Sequence, residues 1–387
     1  NDIAYFGGDE NHPDVGADTP LSSGVYKDPL SYGEGTDWIK EITRTALYQN
    51  YALSLSGRND KSSHYASFSY NDTDGIIQDS GQRRFTGRIN MDRQYFKWLK
   101  LGYSGSYTWR HNDENKATIG GTSWWSGAQY LSPLMKPGDS FNPLYYSGQK
   151  INTPRSLIDL NTYYLERHST NHAFTATLTP VKNLIIKSTF SYYYYQRHTY
   201  RYYPGTLPRK AENEGGEAYR AEYDERSMSS ENTATYKIKA KKHTVDLMAG
   251  FSAYKFTSNN LAISGSGYMD DEVKWNNMNS VLDKETYSVS SGFSKKTKMS
   301  VFARGNYNFG SRYYLTVTGR YDGASNFAAN KKWAFFPSAA LRWNVANEPF
   351  MKNAMRVDDL ALRLSAGMTG NDAISPYMSL ASFTSSY

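Results

Sequence analysis

From Leu184 to Tyr203 the side chains sort by parity. Even positions carry Leu184, Ile186, Phe190, Tyr192, Tyr194, Tyr200 and Tyr202, whereas odd positions carry Lys187, Thr189, Ser191, Arg197, Thr199 and Arg201 among further tyrosines. Successive side chains of an extended chain point to opposite faces, so a period of two predicts a strand. Its length of about 20 residues far exceeds the ~5–6 usual in globular sheets. The same test succeeds elsewhere. In "FTGRINMD", Phe85, Gly87, Ile89 and Met91 oppose Thr86, Arg88, Asn90 and Asp92. In "LKLGYSGSYTWR", Leu101, Tyr103, Tyr107 and Trp109 oppose Lys100, Ser104, Thr108 and Arg110. "MSVFARGNYNF", "YLTVTGRYD", "SAALRWNV" and "LALRLSAGM" behave alike, with Arg304, Arg320, Arg342 and Arg363 on their polar faces. Roughly twelve such strands are predicted, with a thirteenth cut short at Tyr387.

Alternation alone also fits a soluble sandwich, so the connections must decide. Tight turns fall near 57–61, 93–97, 179–183, 239–243 and 308–312, and between them lie longer segments at 72–82, 111–160, 204–218, 257–286 and 322–332. One connection, 347–359, stretches the short side. Short and long links alternate in an up-and-down transmembrane barrel, with short periplasmic turns and long extracellular loops. Residues 1–48 read as a loop region with a short helix, and 49–387 as part of the barrel. The fold class is therefore all-β, a large antiparallel transmembrane β-barrel.

Composition strengthens that reading. Aromatics reach 15%, including 34 tyrosines, while the mean hydropathy is −0.70. Only every second residue of a barrel strand meets lipid, and Tyr, Trp and Phe girdle both interfaces, which reconciles the two values. No stretch approaches the ~18 apolar residues of a spanning helix. The even face of the tyrosine strand should therefore meet lipid and then headgroups, where a ring with a polar tip is at home, and beyond Gln196 the strand should have left the membrane. Cysteine is absent, which suits passage through an oxidising compartment without a disulfide. The net charge of +7 arises in clusters such as "KIKAKKH" and "SKKTK", interspersed with acids. These read as solvated turns and loop ends, and no nucleic-acid partner is expected.

Specific phrases then add a resemblance. "GTDWIKEITRTALYQNYALSLSGRNDKSSHYASFSYNDTDGII" (35–77), "RYYLTVTGRYDGASNFAANKKWAFFPSAALRWNVANEPFMKN" (312–353) and "LALRLSAGMTGN" (360–371) resemble the SusC/RagA family of TonB-dependent outer-membrane transporters. The resemblance extends over nearly everything from Gly35 onward. It implies a barrel of about 22 strands, an N-terminal plug domain inside it, and location in the bacterial outer membrane among lipids and lipopolysaccharide. It also implies a SusD-like surface lipoprotein as partner, and energy supplied by TonB through a plug segment that this sequence does not contain. The expected function is active import of a large polar nutrient, most readily an oligosaccharide and in some members a peptide. A scaffold role in an outer-membrane assembly or export complex is the alternative. Family-phrase residues are Asp322, Gly323, Phe327, Trp333, Phe336, Pro337 and Trp343. They read as structural: Asp322–Gly323 opening a turn, Pro337 removing a ladder donor, the rings packing at the rim.

The candidate chemistry is binding rather than catalysis, and no enzyme is expected. "GYSGS" (102–106) lacks the closing glycine of a nucleophile elbow and would sit mid-strand. His168 and His172 stand four apart, about 13 Å along a strand, too far for one ion. No cofactor is expected, although "MDDE" (269–272) in a long loop offers hard oxygen ligands of the kind calcium takes. In "NDTDG" (71–75), Gly75 is expected to supply a positive φ. Trp124 and Trp125, in the longest loop, either stack on sugar rings or anchor that loop. Arg88, Arg304, Arg320, Arg342 and Arg363 should face the lumen, pairing with plug acids or touching substrate. Tyr195, Arg197, Arg201 and Tyr203 lie on the inward face of the tyrosine strand near the mouth. Rings for stacking and guanidiniums for hydroxyls suit a carbohydrate vestibule, although mutual packing would use the same residues.

The turn alternation fixes sidedness. An epitope inserted near Gly216 should be reached by antibody on intact cells and one near Ser311 should not; the reverse pattern would overturn the topology.

Overall fold

In the computed structural model, the described residues are 35–114, 116, 128, 131, 133, 135–139, 152–208, 215–281, 284–351 and 357–380. They form one sheet of 12 strands in strictly consecutive order, every pair antiparallel. In chain order these are β1 (Tyr48–Arg58), β2 (Ser62–Asp74), β3 (Gly81–Phe96), β4 (Leu99–Asp113), β5 (Thr162–Leu178) and β6 (Leu184–Tyr203). They continue as β7 (Gly216–Ala240), β8 (His243–Tyr268), β9 (Ser288–Phe309), β10 (Tyr313–Ala324), β11 (Trp333–Asn344) and β12 (Ala361–Gly367). Among the described residues no helix is long and apolar enough to cross a membrane. The sheet is part of a barrel, the arrangement in which strands can satisfy every backbone group inside lipid.

Directly opposed residues share a face, so the register tests the parity reading across neighbours. Leu55 opposes Ala66, which opposes Ile89. Tyr307, Leu315, Leu341 and Leu364 form another such row at the far end of the sheet. These side chains are apolar and bare: Leu53 is 74% exposed and Leu364 66%. A soluble protein does not leave a continuous apolar face of this extent uncovered. The other face carries Arg88 between Ser67 and Ser106, and Arg342 beside Arg363. It is the lumen wall. The apolar band shifts stepwise from one opposed row to the next, as it must when strands tilt against the barrel axis.

Several turn details differ from the sequence reading. The β3–β4 turn is Lys97–Trp98, later than expected. The connection placed at 257–286 starts only after Tyr268, because β8 continues to that residue. Gly75 does not adopt a positive φ; Asp79 does, at 55°. Gly75 is needed for space, since a Cβ there would collide with the Ser80 hydroxyl. The short turns instead place left-handed backbone at Asn183, Lys241, Gly310 and Ser311.

Above the long-loop end a small apolar core forms. Helix α1 (Trp38–Ile42), capped by the Asp37 carboxylate, packs with Ile77, Met135 and Ile158. Ile158 comes from α2 (Pro154–Leu160), which Thr153 caps with proline at its start. The described loops are thus anchored to one another by buried side chains.

Arginine substituted for Leu364 in the membrane-inserted protein should cost about 2–4 kcal/mol, whereas Arg363→Leu on the lumen side should cost less. Cysteines at both positions check the register. Labelling of Arg363→Cys from lipid, in place of Leu364→Cys, would show the faces to be exchanged.

Candidate functional site

The wall of β5, β6 and β7 toward the long-loop end gathers the inward residues of the tyrosine strand. Tyr195 opposes Ser169 and Glu225, Arg197 opposes Arg167 and Tyr223, and Arg201 opposes Tyr163 and Tyr219. The Arg197 guanidinium lies 5.4 Å from the Tyr223 ring centre. Arg201 is shared between Tyr203 at 5.3 Å and Tyr219 at 5.1 Å. Tyr195 meets Tyr223 edge-on, with centroids 6.1 Å apart, and the Tyr223 hydroxyl donates to Glu225 at 2.8 Å. Cation–π contacts hold such guanidiniums in place without neutralising them. The Arg201 Nε–H is buried with no hydrogen-bond partner among the described residues.

The sequence reading did not find Tyr219, Tyr223 and Glu225, because nothing in one strand reveals what its neighbour sets opposite. The four residues it did single out lie on one face of β6, half-buried and touching each other's neighbours. Trp124 and Trp125 lie outside the described residues. His168 and His172 serve the sheet: their Nδ1 atoms hydrogen-bond the Tyr107 and Tyr103 hydroxyls at 2.9 and 2.8 Å.

The outer face of the same strands carries a second packed group. Tyr200 and Tyr202 lie beyond Gln196 on that face. The β8–β9 connection folds back over them, burying Tyr202 with Tyr268, Trp275 and Val281, and packing Tyr164, Tyr200 and Tyr287 alongside. The Trp275 ring sits 5.3 Å from Tyr200 and 5.7 Å from Tyr164. Asp271 fastens the arrangement by accepting from the Tyr202 hydroxyl at 2.7 Å and from the Gly205 N–H at 2.8 Å. In "MDDE", then, Asp271 already takes two protein donors, and Asp270 accepts from the Glu272 N–H.

Residues 109–381 match the family model described as TonB dependent receptor-like, beta-barrel. The chain belongs to this family. Among curated proteins it is similar to TonB-dependent receptor P3 of Formosa agariphila, 32% identical over 359 residues that cover 91% of this chain and 36% of that protein. It is likewise similar to TonB-dependent receptor SusC of Bacteroides thetaiotaomicron, 25% identical across 88% of this chain and 35% of SusC. Among solved structures, the RagAB peptide importer in its open-open state superposes with a TM-score of 0.78 at 24% identity, over 89% of this chain and 39% of that one. The SusC/RagA resemblance is thereby borne out, and the last likeness speaks to fold alone. The chain spans about a third of the length of the curated relatives it matches.

Within this TonB-dependent receptor barrel the family phrase is structural, though not as the sequence suggested. Asp322 and Gly323 open no turn; they are strand residues of β10, opposite Ala334 and Trp333. A Cβ on Gly323 would strike the Trp333 ring, which lies across it and stacks on Tyr321 at 5.0 Å. Asp322 accepts from the Arg320 Nε–H at 2.6 Å, and Arg320 also donates to Ser300. Arg342 donates to Asn344 and lies 5.7 Å from the Tyr314 ring. Beside Pro337 the β11–β12 ladder ends, at Ser338 opposite Gly367. Phe336 leaves room for no side chain on Gly370, and half-buried Phe327 lies in the β10–β11 link. At the short-turn end Trp343 stacks on Tyr313 and donates to Glu348 at 3.0 Å.

One residue of this region escaped the sequence reading. Asn326 is buried, and its amide donates to the carbonyls of Asp372 and Ile374, pinning the segment after β12. Lys298 and Lys296 complete the clasp on the Asp372 carboxylate. Chiefly through its Lys298 hydrogen bond, that carboxyl is held below the ordinary aspartate range. A depressed folded pKa contributes stability above the unfolded value, about 3.9, that disappears as pH falls through the folded one. Protection of the amides at 371–375, measured against their intrinsic exchange rates, should therefore hold from neutral pH to about pH 5 and fall only at lower pH. Release of this segment between about pH 7 and pH 5 would contradict the clasp.

Proposed function

We propose that this chain forms part of the barrel of a TonB-dependent importer that carries a large polar nutrient, most readily an oligosaccharide, across the bacterial outer membrane. The observation that carries the reading is the lumen wall. A family barrel need only satisfy its backbone, yet here the inward face toward the long loops is lined by rings and guanidiniums held at fixed spacing. Tyrosine faces suit sugar rings, and guanidinium N–H groups donate to hydroxyls. The long loops would be extracellular, with the folded β8–β9 connection stiffening the mouth from outside. No covalent chemistry is assigned to the barrel.

The family supplies the remaining parts of the reading. A plug domain elsewhere in the complete protein would close the lumen and receive energy from TonB, and a SusD-like lipoprotein would cap the mouth. Outer-membrane lipid and lipopolysaccharide would cover the apolar band. The alternative, a barrel kept as a scaffold, shares the fold and the family but gives the ordered vestibule no task.

Uptake separates the two. The complete protein, produced with its surface lipoprotein, should accumulate fluorescent oligosaccharide in a manner abolished by collapsing the proton gradient. Tyr195→Ala with Tyr203→Ala should lower uptake about tenfold while heat-modifiable gel mobility shows normal insertion; rings of this kind are worth roughly 1 kcal/mol or more apiece in binding sites. No energy-dependent uptake of any oligosaccharide, with the barrel instead recovered in a stable multi-protein assembly, would favour the scaffold.

A further inference from the structure

The strand register aligns arginines that are far apart in sequence. Arg84 opposes Arg110, Arg110 opposes Arg167, and Arg167 opposes Arg197. The row crosses four adjacent strands on the inward face, one guanidinium per strand, at the ~4.8 Å interstrand step. Like charges directly opposite each other destabilise a sheet, so such a row needs a reason. Local carboxylates do not supply one. Among the described residues none of the four makes an ion pair; Arg167 donates to Asn112 at 3.0 Å, and Arg197 lies against Tyr223. The flanking inward row toward the short turns reads Thr86, Thr108, Ser169 and Tyr195, and the one toward the long loops reads Gln82, Asn112, Leu165 and Thr199. Neither contains an acid on β3 to β6; on β7 the first of these rows continues to Glu225, whose carboxylate accepts from Tyr223 and pairs with none of the four.

The height of the row follows from the outer face. Its outward neighbours on the short-turn side are Phe85, Trp109, His168 and Gln196, the last aromatics of the apolar band giving way to polar groups. On the long-loop side they are Arg83, His111, Glu166 and His198, none of which belongs in lipid. The row therefore lies at the outer edge of the membrane, where the vestibule narrows into the lumen.

We propose that the Arg84–Arg110–Arg167–Arg197 row is an anion-binding strip, and that the imported oligosaccharide is an acidic one bearing carboxylate or sulfate groups. This rests on the import reading above and narrows it. Guanidiniums bind both groups through paired N–H donors. The strip's step is close to the length of one sugar unit, whereas same-side groups of an extended peptide recur at about 6.8 Å. Threonine and serine hydroxyls beside the strip serve the sugar hydroxyls. Charge at the entrance also raises the local concentration of an anionic cargo, an effect that salt weakens.

The test uses the full-length protein in detergent, with oligogalacturonate, a sulfated galactan oligosaccharide, neutral maltodextrin and oligoglutamate of matched length. Calorimetry at low and high salt should show one of the two acidic glycans bound most tightly, and the pair tells carboxylate from sulfate. Affinity should fall as salt rises. Arg110→Gln with Arg167→Gln should weaken acidic-glycan binding about tenfold or more, and Arg110→Lys with Arg167→Lys should restore much of it. Maltodextrin bound as well as the acidic glycans, by wild type and the glutamine variant alike, would overturn the strip and leave oligosaccharide import standing. Preference for oligoglutamate would overturn the glycan assignment. Unchanged glycan affinity in the glutamine variant, with a plug newly sensitive to protease, would give the row to plug carboxylates instead. If no oligosaccharide binds at all, the import reading falls and this inference with it.

Discussion

A polypeptide in hydrocarbon has no water to meet its N–H and C=O groups, and strands can satisfy them only by pairing with both neighbours. That constraint organises this chain. It demands the consecutive antiparallel order from β1 to β12. Pairing in turn fixes alternation, and alternation leaves half of each strand free to be polar. A chain of low mean hydropathy can thus show lipid a face of leucine, phenylalanine and tyrosine while lining its interior with arginine, serine and threonine.

Tyrosine does three different jobs on β6, and height decides which. Within the apolar band Tyr192 and Tyr194 face outward, where a ring with a hydroxyl tolerates the approach to the interface. Higher up, Tyr200 and Tyr202 face the same way but lie under the β8–β9 connection, which holds an apolar core outside the sheet. On the opposite face, Tyr195 and Tyr203 belong to the array of rings and guanidiniums in the vestibule. The outer core and the inner array share strands, so the packed loop braces the wall that carries the candidate site.

Much of this was legible in the sequence because parity is a local property. Face assignments of Arg88, Arg304, Arg320, Arg342 and Arg363 follow from alternation within single strands, and the register agrees with each. What escaped depends on relations between strands. Arg84, Arg110 and Arg167 look like ordinary polar-face residues until pairing sets them in one row with Arg197. Gly323 reads as a turn glycine because Asp-Gly so often opens turns, and only the position of Trp333 across the strand explains it. The extent of β8 was underestimated because its last twelve residues, "TSNNLAISGSGY", before Tyr268 set only Leu261 and Ile263 on the outward face among polar and small residues, and so the alternating signal weakens once lipid no longer imposes it.

A single strand, β6, meets lipid, a packed loop and an aqueous vestibule in turn, on faces set by parity. Nitroxide scanning along Leu184–Tyr203 of the complete, membrane-reconstituted protein measures it directly, through accessibility to oxygen and to a polar relaxation agent. Period-two alternation should hold throughout: oxygen reaches even positions up to 194, neither reagent reaches 200 or 202, and the polar agent reaches 195, 197 and 203. Oxygen access at 200 and 202, or equal access on both parities near 197, would contradict it.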